Sequence, residues 1–263
     1  VSTALKRIGF IVILIAIWEA ISKAAIFPAF MWPPFIIPND PGGTTIIKTF
    51  IDGIMSGQLL DATWVSLSRL LIGFLIAVVL GLLLGFLIYK YKLVDDTLGF
   101  FVTTLQSIPN IVWFPLAILW FGLGVSSVIF IVVLGATLSI TIAASTAFKS
   151  VPPLHLRVAR TMGSTGFHLF RTIIFPATIP QLISGFRVAW ALAWRAVLAG
   201  ELLGGSGGLG TLLDLGRSLQ SMDLVFSIMI IIAIIGSLID NFVFVAIEKK
   251  VLRKWGITPR ATN

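Results

Sequence analysis

The chain has 263 residues, 57% of them hydrophobic and 11% charged, with a formal net charge of +8 and a mean hydropathy of +1.05. Soluble domains carry about 25% charged residues, so this chain lacks the polar surface of a water-soluble fold and reads as one all-α membrane bundle. It has no cysteine, which excludes disulfides, thiolate metal sites and a cysteine nucleophile, and its basic residues form no aromatic-interleaved stripe, so no nucleic-acid partner is expected.

A membrane span needs roughly 20 mostly apolar residues. Six segments qualify, at about 8–28, 64–89, 98–121, 126–148, 177–201 and 224–247. The first begins after Lys6 and Arg7, like a signal peptide, but the apolar part of a signal is about 7–15 residues. This run is longer and is expected to stay as a span; the opening at Val1 leaves room for residues before it. Residues 1–62 then comprise this helix and an external segment. That segment opens with Pro28, Pro33, Pro34, Pro38 and Pro41, which no helix runs through. Ile46, Ile47, Phe50, Ile51 and Ile54 follow at helical spacing, predicting a short amphipathic helix on the outer membrane surface, either a brace or a docking surface.

Residues 63–250 hold the other five spans. Gly81 and Gly85 form a small-x3-small pair suited to close helix packing. Pro109 and Pro115 are expected to kink the third span. The Gly-rich stretch Gly204, Gly205, Ser206, Gly207, Gly208 and Gly210 lacks the Lys of a phosphate-binding loop and is expected to be a flexible outer connection. A basic tail, 251–263, ends the chain.

Lys and Arg set the orientation. With the N-terminus in the cytoplasm, the inner segments hold thirteen: Lys6, Arg7, Lys90, Lys92, Lys149, Arg157, Arg160, Arg171, Lys249, Lys250, Arg253, Lys254 and Arg260. The outer segments hold three, Lys23, Lys48 and Arg217. The positive-inside rule therefore places both termini in the cytoplasm.

The longest inner loop, 149–176, joins the fourth and fifth spans. Pro152 and Pro153 predict a helix start. Leu156, Ala159 and Gly163 fall on one narrow face, where small residues allow a backbone to seat closely in a groove. Arg157 and Arg160 offer donors to carboxylates or carbonyls. Gly163 permits a turn, and Pro176 suits the first turn of the next span. His155 and His168 lie in this loop without ligand partners.

This loop resembles that of the permease subunits of ABC importers, whose E-A-A-x3-G-x9-I-x-L-P sequence docks on an ATPase. Ala159, Gly163, Ile173 and Pro176 stand in register, with Arg157 in place of Glu, Val158 in place of the second Ala and Phe175 in place of Leu. The resemblance extends over about residues 36–255. It includes the stretch from Ser66 to Phe74, the run from Ile108 to Gly124, and Gly185-Phe-Arg187, Ala193-Trp194-Arg195, Glu201 and Asp223-Leu-Val-Phe226. These are similar to the nitrate/sulfonate/taurine/bicarbonate branch.

The resemblance implies a six-helix type I importer permease in a bacterial cytoplasmic membrane. It implies a second permease subunit, identical or not, two cytoplasmic ATPases and an external solute-binding protein. This chain would be no enzyme and would bind no cofactor; ATP and Mg2+ would be used by the ATPases. The coupling residues would be Leu156, Arg157, Ala159, Arg160, Gly163, Ile173 and Pro176, with Ala159 and Gly163 seated in the ATPase groove. The solute would be nitrate, a sulfonate, taurine, bicarbonate or a small organic nutrient.

Charge at bilayer depth is costly, roughly 2.5–3.5 kcal/mol on insertion scales. Arg69 lies near an outer end and can snorkel. Arg187 and Arg195 either line an anion path or form ion pairs with Asp240 or Glu201. Glu201 is a gate at the external mouth, a contact for the binding protein, or a solvated end charge. Glu19 has no evident partner. Trp113, Trp120, Trp190 and Trp194 either stack on an organic solute or pack between helices. The rival reading, an ion-coupled secondary transporter, needs intramembrane carboxylates at a midplane site; Glu19 and Asp240 are meagre for that. A membrane enzyme needs convergent catalytic groups, which are missing.

Overall fold

Regular structure in the computed structural model is helical throughout its described residues, which are 3–24, 26–28, 30–39, 43–204 and 207–254. Ten helices follow in order: α1 (Thr3–Lys23), α2 (Ile46–Met55), α3 (Gln58–Lys90), α4 (Lys92–Gln106), α5 (Asn110–Phe121), α6 (Val125–Lys149), α7 (Pro153–Thr161), α8 (Gly166–Gly204), α9 (Leu209–Ser218) and α10 (Met222–Val251). Most of the basic tail, 255–263, lies outside the described residues, as do Gly205 and Ser206 of the Gly-rich loop.

Four helices, α3, α6, α8 and α10, are long and apolar enough to cross a membrane, and α4 with α5 makes a fifth if the bent pair is one span. The expected sixth, α1, is long enough, but every 18-residue stretch of it contains Lys6, Arg7 and Glu19. The third predicted span is more than kinked: α4 and α5 meet at 98°. Pro109 causes the break by taking an extended conformation (ψ 134°) between them. Pro115 does not kink anything, because it falls in the first turn of a helical segment, where a missing N–H is harmless.

The chain divides into two compact units, one of residues 1–67 with 201–234 and one of 68–200 with 235–263. In the first, Glu19 of α1 explains the Pro-rich segment. Its carboxylate accepts the backbone N–H groups of Phe35 (2.9 Å), Ile36 (3.3 Å) and Ile37 (2.9 Å). Trp18 and Trp32 stack at 3.9 Å, and each indole N–H donates to a carbonyl across the contact. The amphipathic helix α2 forms as predicted. Thr45 caps it through Lys48 N–H, Ile46 and Gly53 are buried, and Ile51 and Met55 are exposed. Thr49 and Ser221 both donate at 2.6 Å to the carboxylate of Asp223.

In the second unit α3 and α6 run parallel in unusually close contact. A Cβ added at Gly73, Gly81 or Gly85 would lie 2.6 Å from Val132, Ile140 or Ala144. Each pair is 59 positions apart (132−73, 140−81, 144−85), so the register is constant. In lipid, apolar burial alone does not bring helices together, and such small-residue approach does. Trp190 is buried between Phe74 (5.1 Å, edge to face) and Phe244 (5.9 Å), which is packing rather than a solute platform.

Candidate functional site

The loop after α6 is shaped by backbone chemistry. Pro152 takes an extended conformation and Pro153 opens α7 at a position that needs no N–H. The helix lasts two and a half turns because Gly163 adopts φ +84°. Ser164 N–H then reaches back to the Ala159 carbonyl (3.0 Å) and Gly163 N–H to Arg160 (3.0 Å), the paired closure of a Schellman motif. The chain re-enters helix at Gly166. Just before Pro176 the helix widens: Phe175 N–H bonds to the Phe170 carbonyl, five residues back. Pro176 has no N–H to donate to Thr172 and its ring crowds that carbonyl, so a wide turn here relieves the conflict.

Ala159 is buried in this chain's own core, with Ala144, Ala147, Phe148, Val151, Leu169, Ile174 and Leu182. Leu156 and Ile173 pack against the same cluster. The Leu156–Ala159 face therefore looks into this chain's own core, where Ala159 is buried. What α7 presents outward is Leu154 (67% exposed), Arg157, Val158 and Thr161, followed by Met162 (82% exposed) at its C-cap. Gly163 is exposed at the turn and Pro176 half-buried. Arg160 instead borders a cavity with Tyr89 and Lys90.

The intramembrane candidates separate. Arg187 is bound by Asp240 in a two-pronged pair, Nε to Oδ1 and Nη2 to Oδ2 at 2.5 Å, with Glu248 3.9 Å away. Its charge is neutralised within the chain. Arg195 is exposed and, among the described residues, meets no carboxylate. It borders a cavity of about 250 Å³ with Pro109, Asn110, Ile111, Ile131, Leu192, Ala196, Ala199 and Gly200. The break between α4 and α5 thus forms one wall and α8 another. Asn110 is held there because its amide fits over Gly135, where any Cβ would collide with it.

Glu201 is neither a solvated end charge nor an exposed contact. It is fully buried. Its carboxylate accepts Ser66 Oγ–H (2.6 Å) and Gly210 N–H (3.1 Å), and its own carbonyl accepts Thr211 Oγ–H (3.1 Å). Ser66 Oγ accepts Leu209 N–H in turn. Glu201 thereby holds the start of α9 and the end of the Gly-rich loop. Two features escaped the sequence reading: the three N–H groups gathered by Glu19, and Asn110 at the helix break. Pro109 was the available signal for the second.

Residues 77–253 match the family of binding-protein-dependent transport system inner membrane components. The chain belongs to this family. The permease is 34% identical to a putative ABC transporter permease protein of Methanocaldococcus jannaschii over 237 residues, 89% of this chain and 86% of that one. It is 31% identical to the putative aliphatic sulfonates transport permease protein SsuC of Bacillus subtilis, covering 92% and 84%. An inward-facing structure of the MetNI methionine ABC transporter matches its fold with a TM-score of 0.66 at 22% identity, covering 74% of the permease and 96% of that chain. It is a multi-pass membrane protein of the ABC importer type.

Proposed function

We propose that this permease is the gate of an importer that carries a small anion, of the sulfonate, nitrate or bicarbonate kind or the related taurine, into a bacterial cytoplasm. In this reading six spans cross the membrane, α1 and the bent α4–α5 pair included, with both termini inside. Two such subunits, identical or not, enclose the path, an external binding protein delivers the solute, and two ATPases supply the energy with ATP and Mg2+. No nucleotide or metal is held by this chain.

The observation that carries the reading is the outward face of α7. A nine-residue helix, fixed by a proline at one end and by the Gly163 closure at the other, exposes Leu154 and Val158 around Arg157, with Met162 exposed at its C-cap. Its inner face is locked to the core that α6 and α8 share. A push on the outer face is therefore transmitted to two long helices, which is what coupling between nucleotide state and access state requires. The SsuC likeness and Arg195, a lone cation on a cavity wall, support an anionic solute.

The test is co-purification. Val158→Asp with Met162→Asp is expected to abolish recovery of the ATPase with the permease while the permease keeps its own melting temperature. ATPase bound as tightly as before sinks the proposal.

A further inference from the structure

We propose that the cup between the end of α3 and the start of α8 binds the headgroup of an anionic phospholipid. The cup encloses about 240 Å³. Its walls are aromatic: Phe86, Tyr89, Phe167 and Phe170. They are mutually braced, with Phe86 edge-on to Phe170 at 4.5 Å and Phe167 stacked on it at 6.3 Å. Two cations, Lys90 and Arg160, stand on its lining. Neither meets a carboxylate among the described residues. Lys90 rests instead over the rings of Phe86 (5.7 Å) and Tyr91 (5.1 Å).

The place matters as much as the chemistry. Lys90 is the last residue of α3, a 33-residue helix apolar enough to span a bilayer. Its uncharged stretch runs from Leu70 to Tyr89 and stops at Lys90, and the end of such a stretch lies where hydrocarbon gives way to water. Phe167, 71% exposed, extends the apolar wall outward. A ligand that fits must carry negative charge at one end and grease at the other. A zwitterionic lipid would bring its own ammonium towards Lys90 and Arg160, which disfavours it. Basic pockets at this depth suit phosphate-bearing headgroups.

Arg160 belongs to α7, so a bound lipid would tie the helix with the exposed docking face to the membrane surface. That consequence rests on the proposed function; the lipid site itself does not. The experiment uses the whole transporter in neutral detergent. Its thermal stability is titrated with phosphatidylglycerol, phosphatidylcholine and inorganic phosphate, and lipid retained on it is read by native mass spectrometry.

Phosphatidylglycerol is expected to raise the melting temperature and to be retained, and the other two are not. Lys90→Gln is expected to weaken the phosphatidylglycerol midpoint about fivefold, while Lys90→Arg preserves it. Equal effects of phosphatidylcholine, reproduction of the shift by phosphate alone, or an unchanged midpoint in Lys90→Gln would each overturn the proposal. Should Lys90→Gln fail to fold, retention of phosphatidylglycerol over phosphatidylcholine by the unaltered protein and by Lys90→Arg decides it.

Discussion

Glu19 and Glu201 solve the same problem in the same way. Each is a carboxylate that ties down a stretch where proline or glycine has interrupted helix: Glu19 accepts three backbone N–H groups, and Glu201 accepts Gly210 N–H and the Ser66 hydroxyl. Arg187 is answered by Asp240. Arg195 alone of the mid-helix candidates is left facing a cavity. Exchanging these arginines should therefore give opposite phenotypes. On the proposed anion path, Arg195→Gln would remove a charge-assisted contact worth about 1.5–3 kcal/mol, so uptake should fall about 10- to 100-fold with ATPase assembly and melting temperature intact. Arg187→Gln strands Asp240 and should lower the melting temperature instead. Solute uptake and thermal unfolding of both variants check this. The Arg187–Asp240 pair was legible from the sequence as one of two readings, because both partners are charged side chains. The role of Glu19 was not, because its partners are backbone N–H groups, which every non-proline residue has.

Helix type and approximate bounds were legible wherever an apolar run exceeded a bilayer's thickness. Direction was not. Periodicity places Leu156, Ala159 and Gly163 on one face but cannot say which way that face points; in the structure Leu156 and Ala159 pack on this chain's own core, while Gly163 lies exposed beyond the end of α7. Likewise Pro109 marks a break without giving its angle. The α3–α6 seam was legible in Gly81 and Gly85 as a tendency, while its partner and register needed coordinates. Gly85→Leu places a branched side chain against Ala144 and the backbone of Thr141 and Ser145, which cannot yield. A loss of about 1–3 kcal/mol is expected. Gly236→Ala in α10 meets nothing within 4 Å and should be neutral or stabilising by up to about 1 kcal/mol. Thermal unfolding in detergent ranks the two.

For the molecule as a whole, the charge bias gives an orientation that can be measured directly, because the chain has no cysteine of its own. Ser56 and Thr161 are both exposed. A membrane-impermeant maleimide should label Ser56→Cys in intact cells and Thr161→Cys only after permeabilisation; the reverse pattern would invert the topology and overturn the proposed coupling role of α7. The number of spans is a matter of the same kind. Lys6 and Arg7 stand at the start of α1, where long cationic side chains reach the interface.

The constant register along α3 and α6 limits how this part of the permease can move. Helices keyed together at three successive glycines cannot slide by a fraction of a turn without driving a β-branched or alanine side chain into bare backbone. They must travel as a single plank. Freedom to rearrange is left to the backbone elbow at Pro109, where the chain has already given up its helical hydrogen bonds, while Asn110, itself keyed to Gly135 of α6, stays with the plank. A cycle of opening and closing that hinges at that elbow would widen or shrink the chamber beside Arg195 while the plank keeps its shape.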